Sequence, residues 1–422
     1  MIVISGARVW GRSGLVEGSV LIDGNRVVEV GAVSIPSGAQ VIDASGAILG
    51  PGLVDLHVHL RDPGQTWKED ITTGSMAAVA GGFTAVVAMP NTDPTTDSGK
   101  TVVDILNRGA EVGLVDIVVA GALTAGREGV EMADFDSMYE AGARMFTDDG
   151  DSVADSGLLR RIMTYLSDLP GALVAEHCED RSLTGSGHMN EGATSASLGL
   201  GGIPAVGEEV VLARDIALAA DTGSRLHVQH VSTARSVELI RRAKDDGLAI
   251  TCEVTPHHLG LDESSVDGLD PDFKMYPPLR APADRRSLVE ALEDGTVDAV
   301  ATDHAPHTSS EKDAPFEEAP RGVIGLETSA AVTWAALRGS ADLFFERMSV
   351  SPARILGLER HGQPVEAGSP ANLVLFDPGR SWQARSFRSK SSNSPFLGAT
   401  LTGMVMATIH DGSLVYEAAS DE

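Results

Sequence analysis

The sequence predicts an α/β fold, a (β/α)8 TIM-like barrel with a small β-sandwich domain built from both termini. Three observations predict it. Eight apolar, strand-like runs recur through the middle of the chain, helix-like segments lie between most of them, and strand patterns with tight turns occupy both ends. Near-continuous apolar strands alternating with helices mark a parallel sheet buried on both faces. Eight such units favour closure into a barrel, which needs ~250 residues or more. A doubly wound open sheet would want a Gly-rich phosphate loop after its first strand, and none is present.

Taken in order, residues 1–48 form the N-terminal part of the β-sandwich domain. "MIVISGARVW" and "GSVLIDGNRVVEVGA" alternate apolar and polar residues, with "DGN" as a tight turn. Residues 49–360 form the barrel. Its strands are "LVDLHVHL", "FTAVVAMP", "VDIVVAGAL", "ARMFTDD", "ALVAEHC", "RLHVQHV", "AITCEVTP" and "DAVATDHAP". Helix-like segments between them include "DITTGSMAAVAGG", "DFDSMYEAG" and "ARSVELIRRAKDDG", the last with a glycine stop. Residues 361–422 complete the sandwich with "ANLVLFDP" and "MVMATIHDGSLVYE". Neither end alone is long enough to bury a sheet face, so the two must combine.

Composition narrows the function classes. A net charge of −28 over 422 residues excludes a nucleic-acid backbone as partner, because that needs clustered Lys and Arg. It does not exclude an acidic small molecule, since local arginines and metal ions can dominate a pocket's field. Two cysteines, Cys178 and Cys252, are too few for a disulfide framework and point to the cytoplasm. No charged leader precedes an apolar stretch and no apolar window reaches membrane-spanning length, so no membrane partner is expected.

The chemistry lies in where the polar residues fall. Five of the eight strands carry metal-ligand types near their C-terminal ends: His57 and His59, Asp148 and Asp149, His177, His227 and His230, and Asp303 with His304. A single histidine on an apolar strand is more often a core residue. Agreement at five strand ends reverses that reading, because these ends converge on the active-site face of a barrel. His57 and His59, two apart, share one face of their strand and can bind one zinc-like ion. His177 and His230 can hold a second, a fourth-strand carboxylate can bridge the two, and Asp303 can complete a site or act as a base. His227, three residues before His230, faces the other way and reads as packing. Cys178 reads as core, His257 and His258 as loop residues, and His304 as a hydrogen-bond partner behind the metals.

This constellation resembles the amidohydrolase superfamily. "DLHVHLRDPGQTWKEDITTGSMAAVAGGFTAVVAMPNTDP" is similar to the first part of class I bacterial dihydroorotases. "FTDDG", "AEHCED", "MNEG", "LHVQHVSTA", "CEVTPHHL", "ATDHAPH" and "FRSKSSNSPFLGATLTG" extend the resemblance along essentially the whole chain. It implies His57, His59, Asp149, His177, His230 and Asp303 as ligands of two Zn2+ ions, with Asp149 as the bridge. Relatives such as hydantoinases carry a carboxylated lysine at the fourth strand. Here no lysine lies between Lys100 and Lys244, which removes that alternative.

The resemblance further implies reversible cyclisation of N-carbamoyl-L-aspartate to dihydroorotate, a step of pyrimidine biosynthesis. Asp303 would be the catalytic residue, taking a proton from the attacking water and giving it to the leaving nitrogen. His59, Arg61, Asn91 and His307 would bind substrate, Arg61 as a fork for the carboxylate. Tyr276, Arg321 and Gly322 would also line the pocket. Two of these depart from the family pattern, which has an asparagine in place of Tyr276 and an aromatic in place of Arg321. An allantoinase or another cyclic-ureide hydrolase is therefore the competing enzyme reading. A non-catalytic scaffold for aspartate transcarbamoylase should have lost ligands, and all six are kept. A homodimer and a transcarbamoylase partner are the associations the resemblance implies.

Overall fold

The computed structural model describes residues 1–419. The chain opens on five strands, β1 (Ile2–Gly11), β2 (Gly14–Asp23), β3 (Arg26–Gly31), β4 (Gln40–Asp43) and β5 (Ile48–Pro51). β1, β2 and β3 pair antiparallel, and the expected turn falls at Gly24, whose φ of +55° suits a residue without Cβ. β4 and β5 pair parallel with β1. One residue separates β5 from the next strand. It is glycine because a Cβ at Gly52 would stand 2.3 Å from Thr84 Cγ2.

All eight expected middle strands are present. They are β6 (Leu53–Val58), β7 (Phe83–Ala88), β8 (Asp116–Val119), β9 (Met145–Phe146) and β10 (Leu173–Glu176), then, after a two-stranded ribbon of β11 (Met189–Asn190) and β12 (Gly202–Ile203), β13 (Leu226–Val228), β14 (Ile250–Val254) and β15 (Ala299–Val300). Every pairing among the eight is parallel. β6, β7 and β8 form one set, and β9, β10, β13, β14 and β15 the other. Single parallel bridges, Gly121 with Phe146 and Val58 with His304, connect the two sets at both seams. β6 and β7 are buried at every residue, as strands covered on both faces must be. Burying each large aliphatic side chain there contributes roughly 1.5–3 kcal/mol.

Helices fill the connections, and their ends follow from local sequence. Ile71–Ala80 starts from a capping box in which Asp70 accepts from Thr73 N and Thr73 reaches back. Ala234–Asp245 starts at Thr233, which accepts from Ser236 N. Val206–Thr222 and Pro282–Asp294 stop at Gly223 and Gly295, both left-handed. No helix among the described residues is long and apolar enough to cross a membrane.

The chain then returns to its beginning. β16 (Leu373–Gln383) pairs antiparallel with β5, followed by β17 (Thr400–His410) and β18 (Ser413–Glu417). Both ends thus enter one eight-stranded sheet, ordered β18-β17-β16-β5-β1-β2-β3 with β4 beside β1. An apolar cluster including Ile4, Val20, Ile22, Leu49, Leu375 and Ile409 draws on both ends. That supports the reasoning that neither end could bury a face alone.

Candidate active site

The expected ligands meet where the parallel strands end. His57 is the penultimate residue of β6 and His59 follows that strand; Asp149, His177, His230 and Asp303 follow β9, β10, β13 and β15. His59 Nε2 lies 3.0 Å from Asp303 Oδ1, and His57 Nε2 lies 3.2 Å from Asp149 Oδ1. His230 Nε2 is 3.5 Å from that same Asp149 oxygen and 2.9 Å from His177 Nδ1. All six side chains are buried. His230 and Asp303 hold positive φ angles of +31° and +45°, and Arg61 one of +57°. A non-glycine residue there costs ~1–3 kcal/mol and persists only where its surroundings over-determine it. At Asp303 they do: the next residue is bridged to Val58, and His59 N donates to His304 O at 2.9 Å.

These side chains supply ligand atoms for a metal cation. His57, His59 and Asp303 bring ligand atoms within 4.8 Å of one another, as do His57, Asp149 and His230. His57 Nε2 and Asp149 Oδ1 are buried without a hydrogen-bond partner among the described residues. A buried polar atom left unpaired costs roughly 1–3 kcal/mol, so two meeting at one point mark a position that a cation would satisfy. The electrostatics agree. Burial disfavours charge on His57, yet Asp149, Glu253 and Asp303 together hold its pKa well above the ordinary value. Burial likewise disfavours charge on Asp149, but His57, His230 and His59 keep its carboxyl well below the usual range. Imidazoles and carboxylates without thiolates suit zinc or a similar ion.

Behind the ligands lies a set of orienting partners. Glu253 on β14 is buried between two histidines, 2.8 Å from His57 Nδ1 and 3.0 Å from His227 Nε2. Burial raises its pKa, but those hydrogen bonds pull it down to about 2. A carboxylate on the far nitrogen of a metal histidine fixes its tautomer and raises its basicity. His227 is therefore packing of a specific kind, holding Glu253 while its Nδ1 sits 2.8 Å from Thr251 Oγ1. Asn91 Oδ1, 2.8 Å from His59 Nδ1, orients the second histidine. Asp148 turns away, accepting from Leu123 N at 2.8 Å and Thr124 N at 3.0 Å, which leaves Asp149 as the site's carboxylate.

The remaining histidines divide. His304 pairs with Glu69, at 3.2 Å, rather than with a metal ligand. His258 is fastened by Thr255 and by the carbonyls of Pro277 and Pro278. His257 is buried beside the cluster, its Nε2 without a partner among the described residues, and burial pushes its pKa well down. Cys178 is buried, as expected of a core residue.

Beside the ligands opens a cavity of about 220 Å³, lined by His59, Arg61, Asn91, Tyr276, His307, Arg321 and Gly322 together with Asp149, His177, His230 and Asp303. Every expected substrate residue is on its wall. Arg61 brings one of the cavity's two guanidinium charges, the other being that of Arg321; burial pushes the pKa of Arg61 down to about 10, which leaves it cationic at neutral pH. His307 is held on both sides, its Nε2 2.9 Å from Arg321 O and its Nδ1 3.3 Å from Lys68 Nζ. Burial and the charges of Arg61 and Lys68 push its pKa down to about 2, so the ring is neutral, donating through Nε2 and accepting through Nδ1.

Known proteins with this sequence pattern decide the family. A family model described as "Dihydro-orotase-like" matches residues 46–236. The dihydroorotase of Pelotomaculum thermopropionicum is 45% identical over 407 residues, covering 95% of this chain and 94% of the relative. That of Mycobacterium leprae is 44% identical, covering 98% and 97%. The chain belongs to the dihydroorotase family. Among solved structures it resembles the L-hydantoinase (dihydropyrimidinase) of Arthrobacter aurescens, with a TM-score of 0.86 at 26% identity, over 99% of this chain and 96% of the other. The dihydropyrimidinase of Brevibacillus agri gives 0.83 at 25% identity, over 99% and 95%.

The two residues expected to depart from the family pattern, Tyr276 and Arg321, are in contact. The Arg321 guanidinium lies 4.0 Å over the Tyr276 ring, which itself lies 5.1 Å from the His177 ring. Arg321 Nη2 also donates to Gly187 O at 2.6 Å. A cation over an aromatic face is worth about 0.5–2 kcal/mol. The bulk of the tyrosine and the charge of the arginine are thus spent largely on each other, and both still face the cavity.

Sequence reasoning missed Glu253, Lys68 and Glu69. Glu253 did leave a signal, a lone acid inside the apolar run "AITCEVTP". Lys68 and Glu69 sit in a charged stretch that reads equally well as solvated surface.

Proposed function

We propose that this protein is a class I dihydroorotase, catalysing the reversible cyclisation of N-carbamoyl-L-aspartate to (S)-dihydroorotate. The observation that carries the reading is a half-buried guanidinium, Arg61, sharing one small cavity with the cation-fitting cluster. Dihydroorotate offers a carboxylate to that fork. Hydantoin and allantoin do not, and would leave that guanidinium without an ionic partner in the cavity.

His57, His59 and Asp303 would hold one Zn2+, His177 and His230 the other, with Asp149 shared between them. Bound there, the ions supply Lewis acidity to the ring carbonyl and lower the pKa of water. The chain's own residues do the rest. Arg61 and the Asn91 carboxamide, whose oxygen is engaged by His59 while its nitrogen is free to donate, orient the substrate carboxylate. Asp303 Oδ accepts the proton of the attacking water and delivers it to the ring nitrogen as the amide bond breaks; cyclisation runs the same transfers backwards. His307, Tyr276, Arg321 and Gly322 shape the far wall.

The same reading takes the eight parallel strands, bridged at both seams, as a closed (β/α)8 barrel of residues 49–360. Residues 1–48 and 361–422 then form the sandwich around their shared apolar cluster. Two buried free cysteines support a cytoplasmic setting. A homodimer and association with aspartate transcarbamoylase rest on the resemblance alone, and sedimentation with and without that partner tests both. A non-catalytic scaffold is disfavoured by the six intact ligands.

The direct test is steady-state turnover of zinc-loaded protein on dihydroorotate, allantoin and hydantoin. Activity confined to dihydroorotate, falling ~10²–10⁴-fold in Asp303→Asn, supports the assignment. Turnover of allantoin or hydantoin with none on dihydroorotate would overturn it.

A further inference from the structure

Between β16 and β17 the chain leaves the terminal sheet and fastens to the loops that follow β6 and β15. Ser391 Oγ donates to Lys68 O at 2.7 Å, and Lys390 Nζ to Thr66 O at 2.6 Å. Ser389 Oγ and Lys390 N both donate to the buried Glu69 carboxylate. The same segment carries Asn393, a buried side chain outside the cavity wall.

The Asn393 side chain makes three hydrogen bonds, all to cavity-lining residues. His307 N donates to its Oδ1 at 3.0 Å, and its Nδ2 donates to Ala305 O at 3.2 Å and Gly322 O at 3.0 Å. Its own carbonyl accepts from Ile324 N at 2.9 Å. One acceptor and two donors meet one N–H and two carbonyls, the complement a carboxamide offers. An aspartate would set a carboxylate against two carbonyl oxygens, and a serine is too short to span them. The two clamped segments have no slack: a Cβ at Gly322 would fall 2.8 Å from Ala305 Cβ.

We propose that Asn393 is a positioning residue for the substrate pocket, locking the Ala305–His307 and Gly322 walls together from the C-terminal unit. The proposal rests on the dihydroorotase reading for its choice of substrate. It separates two parts of the loop after β15. Asp303 is anchored through the His304–Val58 bridge, whereas Asn393 fastens the backbone of His307, whose ring is also held by Arg321 O and Lys68, so losing the clamp disturbs binding rather than proton transfer.

The experiment compares zinc-loaded, full-length wild type with Asn393→Asp and Asn393→Ser. The readouts are KM, kcat, zinc content and amide exchange over residues 305–308 and 322–324. The expected result is a KM for dihydroorotate raised at least tenfold in Asn393→Asp, with kcat within threefold, zinc unchanged and exchange faster in both segments. Asn393→Ser should move the same way by less. An unchanged KM, or kcat and zinc falling together with KM as in general destabilisation, overturns the proposal. If the wild type itself ignores dihydroorotate, the substrate reading fails separately. Amide exchange then decides the clamp: faster exchange in both segments upholds it, and unchanged exchange refutes it.

Discussion

Two clusters of histidine and aspartate stand at opposite ends of the parallel strands, and they are built differently. At the C-terminal ends, His57, His59, Asp149, His177, His230 and Asp303 crowd together, with His57 Nε2 and Asp149 Oδ1 3.2 Å apart yet without a hydrogen bond among the described residues. At the N-terminal end, Asp116 opens β8 and accepts from two histidines of the C-terminal part. His361 Nε2 lies 2.8 Å from Asp116 Oδ2 and His410 Nε2 3.1 Å from Oδ1. Each carboxylate oxygen there has its partner, and His361 Nδ1 is 3.0 Å from Thr84 Oγ1. The same residue types therefore make a cation-fitting cluster at one end and a satisfied pin between β8 and the C-terminal part at the other. Unpaired buried atoms, rather than histidine and aspartate as such, separate the two.

The sharpest way to break that contrast is to weigh bound zinc after neutralising one acid at each end. Asp149→Asn should weaken zinc by more than the ~10–100-fold typical of losing an outer partner. Asp116→Asn should leave zinc at wild-type stoichiometry. Equal losses from both variants would erase the distinction.

A smaller effect follows from pH. Burial raises the pKa of Asp116, but the hydrogen bonds from His361 and His410 outweigh it and hold the carboxyl below its ordinary value. A depressed carboxyl stabilises above the unfolded pKa of about 3.9, and that contribution is lost as pH falls through the folded value. Because the Asp116 side chain is 44% exposed, screening keeps the contribution small. Asp116→Asn should lower Tm by about 1 °C at pH 7, with the gap closing as the buffer is taken below pH 4. A gap that widens in acid would contradict the sign.

The two sides of the cavity also differ in how far the sequence reveals them. The metal side was legible because its ligands are chemically narrow types placed at strand ends, and a (β/α)8 pattern says where strand ends go. Arg61 came with the strand it follows, and Asn91 through the resemblance to the family. The partners behind them were hidden, since Glu253 meets His57 from 196 residues away in the chain and nothing in a linear pattern announces that meeting. Asn393 was hidden more deeply. Its segment belongs by sequence to the terminal strands, yet it leaves their sheet to close a pocket built from residues 305–322. The Tyr276–Arg321 stack shows the same limit, for two departures that look independent along the chain touch in space.

The central claim is that a cation-fitting cluster and a carboxylate-reading arginine share one cavity. It is tested most directly by the ratio of kcat/KM for dihydroorotate over hydantoin, in wild type and in Arg61→Met. The wild type should favour dihydroorotate, and the variant should lose roughly 10–100-fold of that preference, the ~1.5–3 kcal/mol of a charge-assisted hydrogen bond, with zinc still bound. A preference unchanged by removing Arg61 would contradict the account.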